Sequence, residues 1–244
     1  MKALITALGI CALLFASGSA YAQDDYTWDG SESSDWADDL NWTPGGMGTD
    51  YPGENVADDT ALINDGTNER AITLSSSLAN TVHWVKIDAN AAAGDMSLTL
   101  DNANSDLDIY RNGGASTLGY LQLVGRLSAA GVATFNYGNG SFACDWINLD
   151  GDSATAGRVV LDIDVDLTVR DATDSVLATG HVDVDVAGST TFGVKDIEIG
   201  DGTTFSDFEM ITNSGTISAT KLTVKGDASN NSYLRVSAGT FQTE

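Results

Sequence analysis

Few side chains in this sequence have chemistry to offer, and they fall into small groups. Trp28, Trp36 and Trp42, three of the five tryptophans, lie close together near the start. Their wide ring faces could form a platform for the rings of a glycan. The same rings could plug the end of a packed core, and because buried aromatics mostly pack, packing is the stronger reading. Asp162, Asp164 and Asp166, then Asp183 and Asp185, alternate with Leu, Ile and Val. Carboxylate oxygens gathered this way suit calcium, the one ion the composition suggests as a cofactor. Neither an EF-hand loop nor a nonapeptide calcium repeat accompanies them, so a solvated acidic face is the favoured account. His83 and His181 are the only histidines, and neither comes with a nucleophile elbow. Arg126, Arg158, Arg170 and Lys195 are scattered, without the basic cluster a lyase groove needs. With 35 acidic residues, a carboxylate pair at glycosidase spacing must occur somewhere by chance. No catalytic residue is assigned, and the chain is expected not to be an enzyme.

The elements that must position these residues are strands. After about residue 65, short runs of Val, Ile, Leu and Thr alternate with polar residues, the period-2 signature of strands with one buried face. Leu161 to Val169 and His181 to Val186 are the clearest cases. Asp65-Gly66, Asn112-Gly113, Asn139-Gly140, Asp150-Gly151 and Asp201-Gly202 are turn signals between such runs. Alternation puts Ile147, Leu149, Ile163, Val165, Val184, Val186, Ile197, Ile199, Leu222 and Val224 inside, and the five aspartates outside. Both prolines, Pro44 and Pro52, precede this region, so no proline interrupts a hydrogen-bonded ladder there.

The pattern also recurs. Gly140 to Asp152 aligns without gaps to Gly215 to Asp227, and Gly239-Thr240-Phe241 reopens the unit 24 residues after Gly215. This alignment sets Cys144 against Ala219, an inward position for a small, inert side chain. A period of about 24 to 27 residues is that of a solenoid whose coils bury their apolar faces only when stacked. The expected fold is therefore all-β: a right-handed parallel β-helix over residues 65–244, about seven or eight coils, with a Trp-rich cap over residues 23–64. An antiparallel β-sandwich is the alternative, since turns every 8–12 residues suit it too.

The first 22 residues read as a signal peptide: Lys2, an apolar run from Ala3 to Ala16, and an Ala20-Tyr21-Ala22 exit. The run is too short to span a bilayer, so the mature chain is not expected to insert into a membrane. Cleavage before Gln23 leaves 10 Lys and Arg against 35 Asp and Glu, a formal charge of −25. Such a charge disfavours nucleic acid and anionic surfaces as partners. Cys144 is then the only cysteine, which excludes an internal disulfide.

The segment Thr27-Trp28-Asp29-Gly30, Trp36, Asn41-Trp42, Pro52 and Asp58 to Ile63 resembles a W-x-G…W…N-W motif. That motif heads exported repeat proteins, among them autotransporter-passenger-like chains and chains with C-terminal sorting tags. The resemblance covers most of the mature chain. It implies a β-helix displayed or released at the cell surface and implies no catalytic residues. It also implies further coils and a barrel or sorting tail, which residues up to Glu244 do not include, so the anchoring route stays open. The expected function is that of a secreted or cell-surface structural or adhesin-like protein, with extracellular glycans or surface proteins as partners. The alternative is a carbohydrate-binding or carbohydrate-cleaving β-helix.

Overall fold

The computed structural model describes residues 24–30, 32–44, 50–55, 57–64, 70–89, 94–110, 119–125, 131–151, 158–170, 176–200, 206–226 and 232–243. The expected leader, residues 1–22, lies outside them. The chain is all-β, and its described residues form a single curled sheet of seventeen strands. In chain order these are β1 (Asp25–Trp28), β2 (Trp42–Pro44), β3 (Asp59–Ile63), β4 (Arg70–Thr73), β5 (Val82–Ala89) and β6 (Met96–Leu100). Then come β7 (Asp106–Ile109), β8 (Tyr120–Gly125), β9 (Val132–Tyr137), β10 (Ser141–Cys144), β11 (Trp146–Gly151) and β12 (Arg158–Ile163). The series closes with β13 (Leu167–Thr168), β14 (Val176–Val186), β15 (Thr191–Ile199), β16 (Ser206–Val224) and β17 (Ser232–Thr243). One 3₁₀ turn, Asp39–Asn41, precedes β2. Among the described residues no helix is long and apolar enough to cross a membrane.

Strands pair with strands one circuit further along the chain, and they do so in parallel. The antiparallel hairpins of a sandwich are represented, among the described pairs, only by β1 with β2. A first ladder runs β1–β3–β5–β8–β11–β14–β15–β16, and its register aligns Tyr26, Ala61, Val85, Leu121, Ile147, Val176, Ile197 and Leu222. A second runs β4–β6–β9–β12–β14–β16–β17 and aligns Ile72, Leu98, Phe135, Leu161, Val184, Met210 and Val236. A third takes in β7, β10, β13, β15, β16 and β17. It aligns Leu107 with Phe142, and Leu167 with Phe192, Ile217 and Phe241. The main-chain bond from Arg170 N–H to Cys144 C=O joins its two parts.

These columns are the core. From Ala61 to Ile197, and from Ile72 to Val184, every aligned side chain is buried, and each Val, Ile, Leu or Phe among them contributes about 1.5–3 kcal/mol when removed from water. β12 shows the local cause: its burial alternates, with Val159, Leu161 and Ile163 inside, because successive Cβ atoms point to opposite faces. Of the expected inward residues, Ile147, Leu149, Ile163, Val184, Val186, Ile197 and Ile199 are buried, and Val165 and Leu222 pack against them half-buried. Val224 is 45% exposed, because its strand ends the first ladder.

The circuit length is uneven. Val176 follows Ile147 by 29 positions and Ile197 follows Val176 by 21. Leu121 follows Val85 by 36, so that circuit carries a longer excursion. Turn geometry uses glycine where nothing else fits. Gly140 takes φ +88°, and a Cβ there would run into the Ser105 carbonyl oxygen. At Gly215 a Cβ would meet the Val186 carbonyl oxygen of the neighbouring circuit.

Candidate functional site

Trp28, Trp36 and Trp42 come together, but inside the protein. They are 1%, 0% and 4% exposed. Trp42 meets both of the others edge-on, with ring centroids 4.9 Å away in each case. The Trp36 Nε1–H donates to the Pro52 carbonyl (3.1 Å) and the Trp42 Nε1–H to the Trp36 carbonyl (2.8 Å). Buried Asn41 organises the chain around them. Its Oδ1 accepts from the Glu32 and Ser33 N–H groups, and its amide donates to Ser33 Oγ and the Asp35 carbonyl. With their ring faces covered by one another, these tryptophans present no platform to a glycan. Nearby, Asp59 is 1% exposed and accepts from Gly53 N–H (3.0 Å) and Asp24 N–H (3.4 Å). Burial, opposed by these two bonds, raises its pKa to about 6.

The five aspartates divide. Asp162 and Asp185 are register neighbours on β12 and β14, and both are pushed above the usual carboxylate range. For Asp162 the causes are burial, then Asp164, then Asp185; for Asp185 they are burial, then Asp164. Asp164 and Asp166 are exposed, and the Asp166 carboxylate caps the Thr191 N–H at 2.7 Å. Asp183 departs from the expected outward position: it is 2% exposed, under an ion pair with Arg158 and within 3.5 Å of His181 Nε2. Its carboxylate points to the outer side of the strand, but the Arg158 guanidinium and the His181 imidazole flanking it close over it. Among the described residues no three metal-ligating side chains converge.

The remaining reactive groups are built into the packing. Cys144 is fully buried, and burial pushes its thiol well up from the usual range. His83 stands edge-on to Tyr120, ring centroids 6.2 Å apart. Arg170 ties successive circuits together, pairing with Asp108 (2.7 Å) and Asp145 (3.3 Å) and donating to the Ile109 carbonyl (2.8 Å).

The outer face of the first ladder carries a site that sequence reasoning missed. The register aligns Trp84, Tyr120 and Trp146 on consecutive strands, all half-buried. Their ring centroids are 5.0 and 5.9 Å apart, with interplanar angles of 30° and 49°. Two residues further along each strand, on the same face, a polar column runs Lys86, Gln122 and Asn148. A depression of about 220 Å³ lies beyond each end of the ring stack. One is lined by Trp146, Leu177, Asp196, Glu198, Lys221 and Thr223. The other is lined by Asp25, Thr27, Thr60, Leu62, Trp84 and Lys86. The signal was faint in the sequence because Tyr120 follows Trp84 by 36 positions and Trp146 follows Tyr120 by 26, so no single period links them. Compared with known proteins, the chain matches no family model, no curated protein and no solved structure.

Proposed function

We propose that this chain is a non-enzymatic exported protein with a structural or adhesin-like role at the cell surface or in the surrounding medium. Its leader would be residues 1–22, and its mature part a right-handed parallel β-helix that the tryptophan cluster closes at its first rung. One observation carries the reading: three parallel ladders keep apolar inward columns through circuit after circuit, so sequence is spent on maintaining a regular shape. Two further features support it. The side chains most able to react are tied into the packing, Cys144 in the core and His83 against Tyr120. The formal charge of −24 for the whole chain favours a soluble, self-repelling surface.

The test has three readouts. Mass spectrometry of protein secreted by a Gram-negative host should find Gln23 as the first residue; an uncleaved chain retained in the cytoplasm overturns export. Far-UV circular dichroism should be dominated by β-structure, and a spectrum dominated by helix overturns the β-helix. Release of reducing ends from a panel of polysaccharides should stay at background, and turnover would make the protein an enzyme.

A further inference from the structure

We propose that the outer face of the first ladder binds a neutral or amino-substituted glycan chain, laid across the Trp84–Tyr120–Trp146 column with sugar units entering the depressions at its two ends.

Four observations meet on this face. The ring column supplies apolar area, and the terminal rings Trp84 and Trp146 each line one of the depressions. Beside it, about 7 Å away at two residues' rise, the Gln122 and Asn148 amides form a parallel polar column, and no hydrogen bond holds either amide to another described residue. A sugar ring has that same division, an apolar face and a hydroxyl rim, and pockets pair apolar walls with a few placed polar groups in this way. Each depression also offers carboxylate, ammonium and hydroxyl groups together: Asp196, Lys221 and Thr223 in one, Asp25, Lys86 and Thr27 in the other.

Size and charge narrow the occupant. From β3 to β14 the ladder climbs four rungs, about 19 Å at about 4.8 Å per rung, a span for several linked sugar units. The two columns lie about 7 Å apart along a span of about 19 Å, far less area than the roughly 800 Å² on each side that a protein partner needs. A formal charge of −24 repels polyanions such as nucleic acids and polyuronates, which leaves neutral and amino sugars.

The experiment is titration calorimetry of the purified protein with cellohexaose, chitohexaose and xylohexaose, with glucose for comparison. At least one hexaose should bind with Kd below about 1 mM, and glucose about tenfold or more weaker. Trp84→Ala and Trp146→Ala should each weaken that hexaose by about tenfold. Thermal melting followed by circular dichroism confirms that both variants remain folded. Gln122→Ala and Asn148→Ala, which truncate only the amides, should weaken it about three- to tenfold. Absence of binding by all three hexaoses overturns the proposal, as does affinity unchanged within about twofold in all four variants. Either result leaves the export and shape readings to their own measurements.

Discussion

The two ends of the ladders are finished differently. At the first rung, β1 pairs with β2 on one side and β3 on the other, and Trp28, Trp36 and Trp42 fill the space beneath. At the last, Val236 on β17 is 44% exposed and Val224 on β16 is 45% exposed, although both continue inward columns. The same kind of position is core in one place and surface in the other. An inward side chain is buried by the rungs on either side of it, and its own strand supplies little of that cover. At the first rung, where β1 has no described rung before it, three large rings supply that cover instead.

That contrast can be broken in measurable steps. Trp36→Ala should cost about 3–5 kcal/mol, since it empties the largest volume beneath the first rung. Denaturant unfolding followed by circular dichroism would read the loss, and a cost under about 1 kcal/mol would mean that the rings do not seal that end. Asn41→Ala should cost about 2 kcal/mol at the same end, because the Glu32 and Ser33 N–H groups lose their acceptor. Asp59 gives the first end a pH dependence. Its pKa is raised to about 6, against about 3.9 in an unfolded chain. The folded state therefore holds the proton more tightly, and stability falls as pH rises from about 4 to about 6, by about 3 kcal/mol. Asp59→Asn should flatten that part of the stability profile; an unchanged slope would assign it to other groups.

Midway along, Asp185→Asn should stabilise by about 0.5 kcal/mol above pH 5, because it removes a carboxylate held beside Asp162 and Asp164. Melting in calcium and in chelator, for this variant and the parent, shows whether an ion already relieves that repulsion. Val236→Ala at the last rung should change stability by less than about 0.5 kcal/mol. A larger loss would show that the exposed end is covered in solution.

The sequence made the strands and their faces readable wherever cause and effect were local. The run from Leu161 to Ile163 declares its own inside and outside, because the alternation is a property of one strand. What failed to show depended on neighbours one circuit away. Asp183 sits in an alternating run and reads as exposed, yet it is covered by Arg158, 25 positions earlier on the adjacent strand, and by His181. Likewise Trp84, Tyr120 and Trp146 look like unrelated aromatics until the register across a lengthened circuit stacks them. The tryptophans at 28, 36 and 42 were visible as a group, and the preference for packing over an open platform followed from the usual fate of large rings.

β16 runs through all three ladders over nineteen residues, its pairing with β17 broken only by register shifts near Ile211. A strand that turns corners without leaving the sheet spreads mechanical load. Tension applied along it must shear many main-chain bonds against β14, β15 and β17 together. The same tension applied across the β16–β17 pairing opens its bonds one after another, like a zip. Stretching along β16 should therefore meet far more resistance than peeling β17 away from it.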